Sequence, residues 1–236
     1  MKPTPFTLEV WGELACFTRP EAKVERLSYP VITPSAARGI FDAIFCNRHQ
    51  MWWQVRRIEV LNDPKFIALR RNEVKGRAPA ASTINGWIKG ATPQPLMADG
   101  DDEATGRTQR QTIALKDVRY RITAEIRAWP GYEAKQSEFQ DKFRRKARAG
   151  QCLYQPYLGC REFPAFFELV DKDAAPSSSL DLDIGWMLYD VFQLDRPGTN
   201  SDAPAVSLFR ASVVNGVLEV PEYGSPLVQK AGGENA

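Results

Sequence analysis

The sequence predicts an α+β fold: an RRM-like (ferredoxin-like) core with an antiparallel sheet, followed by a small β-rich C-terminal part. Strand-like and helix-like segments follow one another in the order β-α-β-β-α-β over the first 170 residues, as in a ferredoxin-like sheet. Beyond them, Asn215-Gly216 lies between two short apolar runs, which is a hairpin signal. We therefore expect an RRM-like domain over residues 1–170, with an insertion or hairpin at residues 76–106, and a β-rich part over residues 171–236.

The first strand and helix of this core have clear signals. Residues 6–12, FTLEVWG, alternate between apolar and polar side chains. Thr33 is suited to the N-cap of the following helix and Pro34 to its first turn. Residues 54–61 alternate again and predict the next strand.

The second half of the core repeats this pattern. Residues 119–129, RYRITAEIRAW, give the cleanest strand, with apolar and polar side chains on opposite faces. Residues 138–151 predict a helix, because Phe139, Phe143 and Ala147 form an apolar stripe and Gly150 is a suitable C-cap. The run FPAFFELV predicts a further strand, and residues 171–202 are acidic and rich in turn formers.

The composition is that of a globular protein with a sizeable core, with 236 residues, 43% hydrophobic residues and a net charge of +2. No run of eighteen apolar residues is present and the N-terminus lacks a signal-peptide pattern, so we expect a cytoplasmic protein without a membrane partner. The four cysteines form no CxxC pair, and the single histidine, His49, is near only Cys46. We therefore expect no metal site and no cofactor.

The helix predicted at residues 138–151 carries most of the functional signal. Its open faces hold five cations: Lys142, Arg144, Arg145, Lys146 and Arg148. In a nearly neutral chain this cluster favours a polyanionic ligand, and RNA is the leading candidate. A merely solvated helix face and a helix lying on an anionic membrane are the alternatives; the narrow stripe without Trp disfavours the membrane.

Five segments of the chain carry a family resemblance: residues 10–40, LRRNEV at 69–74, FRRKARAGQ at 143–151, LGCREFPAFFEL at 158–169 and, more loosely, DIGWMLYD at 183–190. In their order and spacing they resemble the CRISPR-associated Cas five family, in its type I-C "d" subtype. The resemblance implies an RRM-like core that binds and caps the repeat-derived 5′ handle of CRISPR RNA (crRNA). It implies contacts with the backbone and large subunits of the Cascade interference complex, and target DNA as an indirect partner through that complex. It also implies metal-independent cleavage of precursor RNA.

RNA recognition needs cations for phosphates and planar side chains for unstacked bases. The RNA-binding candidates are Tyr29, Arg38, Arg70, Arg71, Asn72, Arg107, Arg110, Gln111, Arg144, Arg145, Arg148 and Gln151. Tyr154 and Tyr157 are further candidates for stacking. For each tyrosine, core packing is the alternative. For Arg71, an ion pair with Glu73 or Asp63 is the alternative.

The positions that the resemblance assigns to cleavage depart from the family. The family places a Tyr or His at the end of the first helix and a Lys-His pair ahead of the basic helix. Here these positions hold Phe45 and Glu138-Phe139. Metal-free cleavage needs a base for the 2′-OH proton and a cation or donor for the phosphorane, and these side chains supply neither.

Three functions follow from these residues. The first is a crRNA-binding subunit whose nuclease is lost or strongly weakened. The second is an active endoribonuclease in which His49 is a weak candidate base and Lys135 or Lys142 replaces the missing lysine. The third is an RNA-binding module unconnected with CRISPR, which the ordered family segments disfavour.

Overall fold

A computed structural model describes residues 3–22, 24–75, 78–94, 106–170, 178–198 and 205–230. The chain forms two compact units, one of residues 1–67 and 113–236 and one of residues 68–112. The strands are β1 (Pro5–Ala15), β2 (Arg26–Leu27), β3 (Met51–Val60), β4 (Lys65–Val74), β5 (Arg107–Ala128), β6 (Phe166–Val170), β7 (Leu182–Asp190), β8 (Ser207–Val213), β9 (Val217–Glu219) and β10 (Val228–Lys230). The helices are α1 (Pro34–Ile44), α2 (Ala81–Ile88) and α3 (Gln136–Arg148), and a 3-10 turn spans Glu133–Lys135.

The large sheet confirms the expected fold class. Its main strands lie in the order β6-β1-β5-β3-β9, and β2 and β4 also pair with β5. The pairs β1–β5, β1–β6 and β3–β5 are antiparallel. With α1 between β1 and β3, and α3 between β5 and β6, this is the ferredoxin-like β-α-β-β-α-β arrangement.

The core forms where α1 and α3 meet one face of this sheet. Phe41 of α1 and Phe143 of α3 have ring centres 5.6 Å apart. Trp53 of β3 packs against both, at 4.9 Å from Phe41 and 4.6 Å from Phe143. Phe6 of β1 completes the cluster at 4.9 Å from Phe143. Aromatic pairs in these geometries contribute about 0.5–1.5 kcal/mol each beyond their buried area, so the cluster holds both helices firmly in place.

The ends of α1 follow from local sequence. The Thr33 hydroxyl accepts a hydrogen bond from the Ala36 amide at 3.2 Å, and Pro34 begins the helix, as predicted. At the other end, Phe45 leaves the helical conformation with φ of −148°. Its carbonyl accepts a hydrogen bond from the Trp53 indole at 2.9 Å, which fixes the end of α1 against β3.

The chain beyond residue 170 contributes to two sheets. Strands β10, β8 and β7 form a small antiparallel sheet in that order. Asn215 and Gly216 both have positive φ, 49° and 76°, and form the predicted hairpin turn. The next strand, β9, pairs with β3 of the large sheet. The domain boundary expected at residue 170 stays a prediction.

Two expectations need refinement. The stretch 171–202, expected to be turn-rich, contains the nine-residue strand β7. The insertion at residues 76–106 contains α2, while residues 76–77 and 95–105 lie outside the described part of the chain. Among the helices described here, none has the length and apolar character that a bilayer crossing requires.

Candidate nucleic-acid interface

Helix α3 concentrates its cations at its C-terminal end. Phe139, Phe143 and Ala147 are buried, which confirms the predicted apolar stripe. Arg145 and Arg148 are exposed on the opposite side. The helix ends at Arg148, and Gly150 just beyond it has a φ of 63° and donates a hydrogen bond to the Ala147 carbonyl, as is typical of a glycine that caps a helix. Exposed Gln151 follows directly, so this end offers two guanidinium groups and an amide to solvent.

Two cations in the middle of α3 are paired with carboxylates of the same helix. The Arg144 guanidinium pairs with Asp141 at 2.9 Å and lies 5.3 Å from the centre of the Phe6 ring. Lys142 pairs with Glu138 one turn away. The hydrogen bond and charge of Lys142 lower the pKa of Glu138, so this carboxyl is ionised at neutral pH. Arg145 and Arg148, further along the helix, present exposed guanidinium groups to a polyanion.

The LRRNEV segment lies on β4, in the unit of residues 68–112. Arg71 donates a hydrogen bond from Nη2 to Glu73 Oε1 at 3.1 Å, and Arg110 Nε lies 4.0 Å from Glu73 Oε2. The ion pair considered as an alternative for Arg71 is therefore present. Arg70 and Asn72 point to the other face of the strand and are exposed.

Two further candidates of the same unit share that exposed side. Because Arg110 meets Glu73, the odd-numbered positions of β5 lie on the opposite face, together with Arg70 and Asn72. Arg107 and Gln111 occupy such positions and are exposed. This face combines cations with amide side chains, as expected for a surface that binds single-stranded RNA.

Tyr29 and Arg38 are buried. Tyr29 is 1% exposed; its hydroxyl accepts a hydrogen bond from the Leu188 amide, and the Arg19 guanidinium lies 4.4 Å from the ring centre. Arg38 is 6% exposed and hydrogen-bonds to Asp190 and Asp42. Their roles in RNA binding stay predictions, and direct contact would require these interactions to open.

The two positions that the resemblance assigns to cleavage meet in space. Phe45, at the end of α1, is half-buried, and its ring centre lies 6.2 Å from that of Phe139, in the first turns of α3. Glu138, which precedes Phe139 in sequence, is exposed and pairs with Lys142. Two hydrocarbon rings and an anion cannot accept a 2′-OH proton and stabilise a phosphorane together.

The alternative residues for cleavage lie in other surroundings. His49 is exposed in the turn between α1 and β3, and a Cβ atom on Gly198 would lie 3.7 Å from its Cε1. The imidazole therefore lies beside the loop after β7, while Phe45 faces α3. Lys135 Nζ lies 5.7 Å from the Tyr132 ring centre, ahead of α3. Within the described ranges, no group of three His, Cys, Asp or Glu side chains could hold a metal ion.

The structure brings together Tyr154 and Tyr157, which follow α3, and adds a residue that the sequence did not indicate. Both tyrosines line one cleft with Arg48. Arg48 Nη2 donates a hydrogen bond to Asp42 at 3.2 Å, and its guanidinium lies 5.6 Å from the centre of the Phe192 ring. No local pattern could identify Arg48, because its neighbours come from distant parts of the chain.

The fold and the basic helix α3 define the class of protein: an RRM-like (ferredoxin-like) domain with a cationic helix packed on one face of its sheet. Comparison with known proteins identifies the family. The family described as "CRISPR-associated protein (Cas_Cas5)", in its Cas5d form, matches residues 6–221. The chain belongs to this family, as a type I-C member.

Two curated relatives share most of the chain. The "CRISPR pre-crRNA endoribonuclease Cas5d" of Mannheimia succiniciproducens is 40% identical over 94% of this chain and 97% of its own. The protein of the same description from Thermus thermophilus is 38% identical over 91% of this chain and 90% of its own. A solved structure described as "Crystal Structure of CRISPR-associated Protein" supports the fold, with a TM-score of 0.62 and 19% identity over 97% of this chain and 98% of that chain.

Proposed function

We propose that this chain binds the 5′ handle of crRNA as a capping subunit of a type I-C interference complex, and that it cuts precursor RNA weakly at most. The observation that carries the second part is the contact between Phe45 and Phe139. The family resemblance assigns proton transfer and charge stabilisation to these positions and to Glu138. The two phenylalanines can do neither, and Glu138 carries the wrong charge to stabilise a phosphorane and is paired with Lys142. The exposed Arg145 and Arg148 support retained RNA binding.

The remaining parts of this proposal concern partners and place of action. The handle is a single-stranded RNA segment, and a subunit that caps it also touches the backbone and large subunits of the complex. In this proposal target DNA is bound by the assembled complex, and this chain contributes to that binding only as one of its subunits. The cytoplasm is the expected location.

The second candidate is an active, metal-independent precursor endoribonuclease with a relocated catalytic site. The observation that favours it is that relatives at 38% and 40% identity are both described as pre-crRNA endoribonucleases. In this case His49 is the candidate base, because its side chain is exposed and imidazole is the most common general base in proteins.

One experiment separates the two candidates. Purified protein is incubated in EDTA with end-labelled repeat RNA, and binding and cleavage are followed in the same samples. We expect saturable binding without a discrete product. Rapid cleavage at one site would support the second candidate, and its loss in His49→Ala would identify the base. Equal affinity for repeat RNA and for a scrambled RNA of the same length would contradict handle recognition.

A further inference from the structure

A cleft of about 290 Å³ opens beside α1 and carries the most specific chemistry outside α3. Ser35 and Arg38 of α1 line it, together with Arg48 from the turn after α1 and Tyr154 and Tyr157 from the segment after α3. Phe17 and Thr18 after β1, and Leu188, Val191 and Phe192 at and after the end of β7, complete the lining, so five stretches of the unit formed by residues 1–67 and 113–236 meet there. The volume is close to the lower end of the range for small-ligand pockets.

The cleft is neutral, in contrast to the C-terminal end of α3. Asp42 Oδ2 accepts hydrogen bonds from both Arg38 Nη1, at 2.6 Å, and Arg48 Nη2, at 3.2 Å. Asp190 pairs with Arg38 as well, at 2.7 Å. Two guanidinium groups are thus balanced by two carboxylates. Such a lining does not favour a phosphate, because its cations are already neutralised, but it suits an uncharged ligand with polar edges.

The aromatic rings and hydroxyl groups that line the cleft indicate which class of uncharged ligand it can bind. Tyr154 is 46% exposed and lines the cleft, so a ligand there can contact its side chain. Burial raises the pKa of Tyr154, and the charge of Asp42 raises it further, so its hydroxyl remains a donor at neutral pH. Ser35 and Tyr157 add hydroxyls to the same lining. A planar group with hydrogen-bonding edges matches this arrangement, and a nucleobase is such a group.

The backbone connects the cleft directly to the cationic end of α3. The Gln151 amide donates to the Lys146 carbonyl at 2.9 Å, and the Leu153 amide donates to the Ala43 carbonyl of α1 at 2.6 Å. The segment from Arg148 to Tyr154 is therefore held against α1 and is only seven residues long. An RNA strand whose phosphates contact Arg145 and Arg148 has a base pocket within reach.

We propose that this cleft receives one unstacked nucleobase of the bound RNA, with Tyr154 as the stacking surface and the hydroxyls of Tyr157 and Ser35 at the base edge. The inference rests on the proposed RNA-binding function and assigns it a subsite. The phosphates of the same strand lie outside the cleft, where the cations are exposed.

The test combines a protein substitution with removal of single bases from the RNA. Repeat RNAs with one abasic position each, scanned along the handle, are titrated against wild type, Tyr154→Ala and Tyr154→Phe. We expect Tyr154→Ala to weaken binding of intact RNA by about five- to one-hundred-fold, the value of one stacked base. Tyr154→Phe retains the ring and most of the affinity. Tyr132→Ala, at a tyrosine outside the cleft, is the control.

The decisive result is a loss of additivity at one RNA position. In RNA that lacks the base occupying the cleft, Tyr154→Ala should not weaken binding further. At every other abasic position, the loss of binding free energy from Tyr154→Ala and the loss from the missing base should add. Additive losses at all positions, or unchanged affinity in Tyr154→Ala, would overturn the cleft proposal while leaving RNA binding intact. Absence of repeat-RNA binding by wild type would instead overturn the proposed function itself.

Discussion

Arg38 and Asp190 form a buried ion pair that joins α1 to the end of β7. Arg38 Nε donates to Asp190 Oδ2 at 2.7 Å and Nη2 donates to Oδ1 at 3.1 Å, across 152 residues of sequence. Asp42, one turn along α1, accepts from Nη1 at 2.6 Å. Burial alone would lower the pKa of Arg38, but the two carboxylates raise it, so the guanidinium stays charged. Residues beyond position 170 thereby help to hold α1 in place.

Arg38→Ala is expected to lower the free energy of unfolding by about 3–5 kcal/mol, because it leaves two buried carboxylates without their main cation. Urea denaturation followed by circular dichroism measures this. The matched control is Lys142→Ala, which removes an exposed ion pair with Glu138. It should lower the free energy of unfolding by about 0.5 kcal/mol or less. Equal losses in the two variants would contradict a structural role for Arg38. A loss of RNA affinity without a loss of stability would support the RNA contact predicted for it.

The exposed end of α3 should dominate the electrostatic part of RNA binding. Each phosphate contact on a single strand contributes about 0.7 to the slope of log affinity against log salt concentration. The double variant Arg145→Ala/Arg148→Ala should therefore reduce this slope by about 1.4, with the fold retained. Adding Arg144→Ala should change it less, because Arg144 is paired with Asp141 and covers Phe6.

Fluorescence anisotropy at several salt concentrations measures these slopes. Arg210→Ala removes an exposed cation on β8 and is the control for net charge. Unchanged affinity and slope in the double variant would remove this end of α3 from the RNA-binding surface.

Local sequence patterns determined much of the fold. Thr33 and Pro34, the stripe that includes Phe143, and the Asn215-Gly216 turn are all found as predicted, since each depends on neighbours within a few residues. The burial of Arg38 could not be predicted in this way, because its partner Asp190 lies 152 residues away.

For the tyrosine candidates, too, the sequence alone could not predict which side chains are buried. Sequence composition selected Tyr29, Tyr154 and Tyr157 alike, but burial separates them: Tyr29 is covered by Arg19, whereas Tyr154 faces an open cleft. The identity of the neighbours across a cleft depends on tertiary packing, which alternation and helical spacing do not encode.

The ion pair between Arg71 and Glu73 leads to a paired prediction for β4. If Arg71 contacts RNA, Arg71→Ala should lower affinity with little change in melting temperature, since a partly exposed ion pair contributes about 1 kcal/mol or less. Glu73→Gln should then raise affinity, because it removes the carboxylate that holds Arg71 and lies near Arg110. Anisotropy titrations and thermal melts of both variants provide the test. A lower melting temperature in both, with unchanged affinity, would show that the pair is structural.

The contact between Phe45 and Phe139 predicts that wild type is inactive or nearly so, and that activity can be installed. The family resemblance implies a Tyr or His at position 45 and a Lys-His pair at positions 138 and 139. Because the Phe45 and Phe139 rings already lie 6.2 Å apart, the triple substitution Phe45→Tyr/Glu138→Lys/Phe139→His places a base and a cation at one point. A general base alone contributes a factor of about 10² to 10⁴, so cleavage of labelled repeat RNA in EDTA should increase by at least that factor. Phe139→Leu is the control for packing, and His49→Ala should leave the triple variant active. A triple variant that binds RNA with wild-type affinity but yields no product would show that these positions do not form the catalytic site.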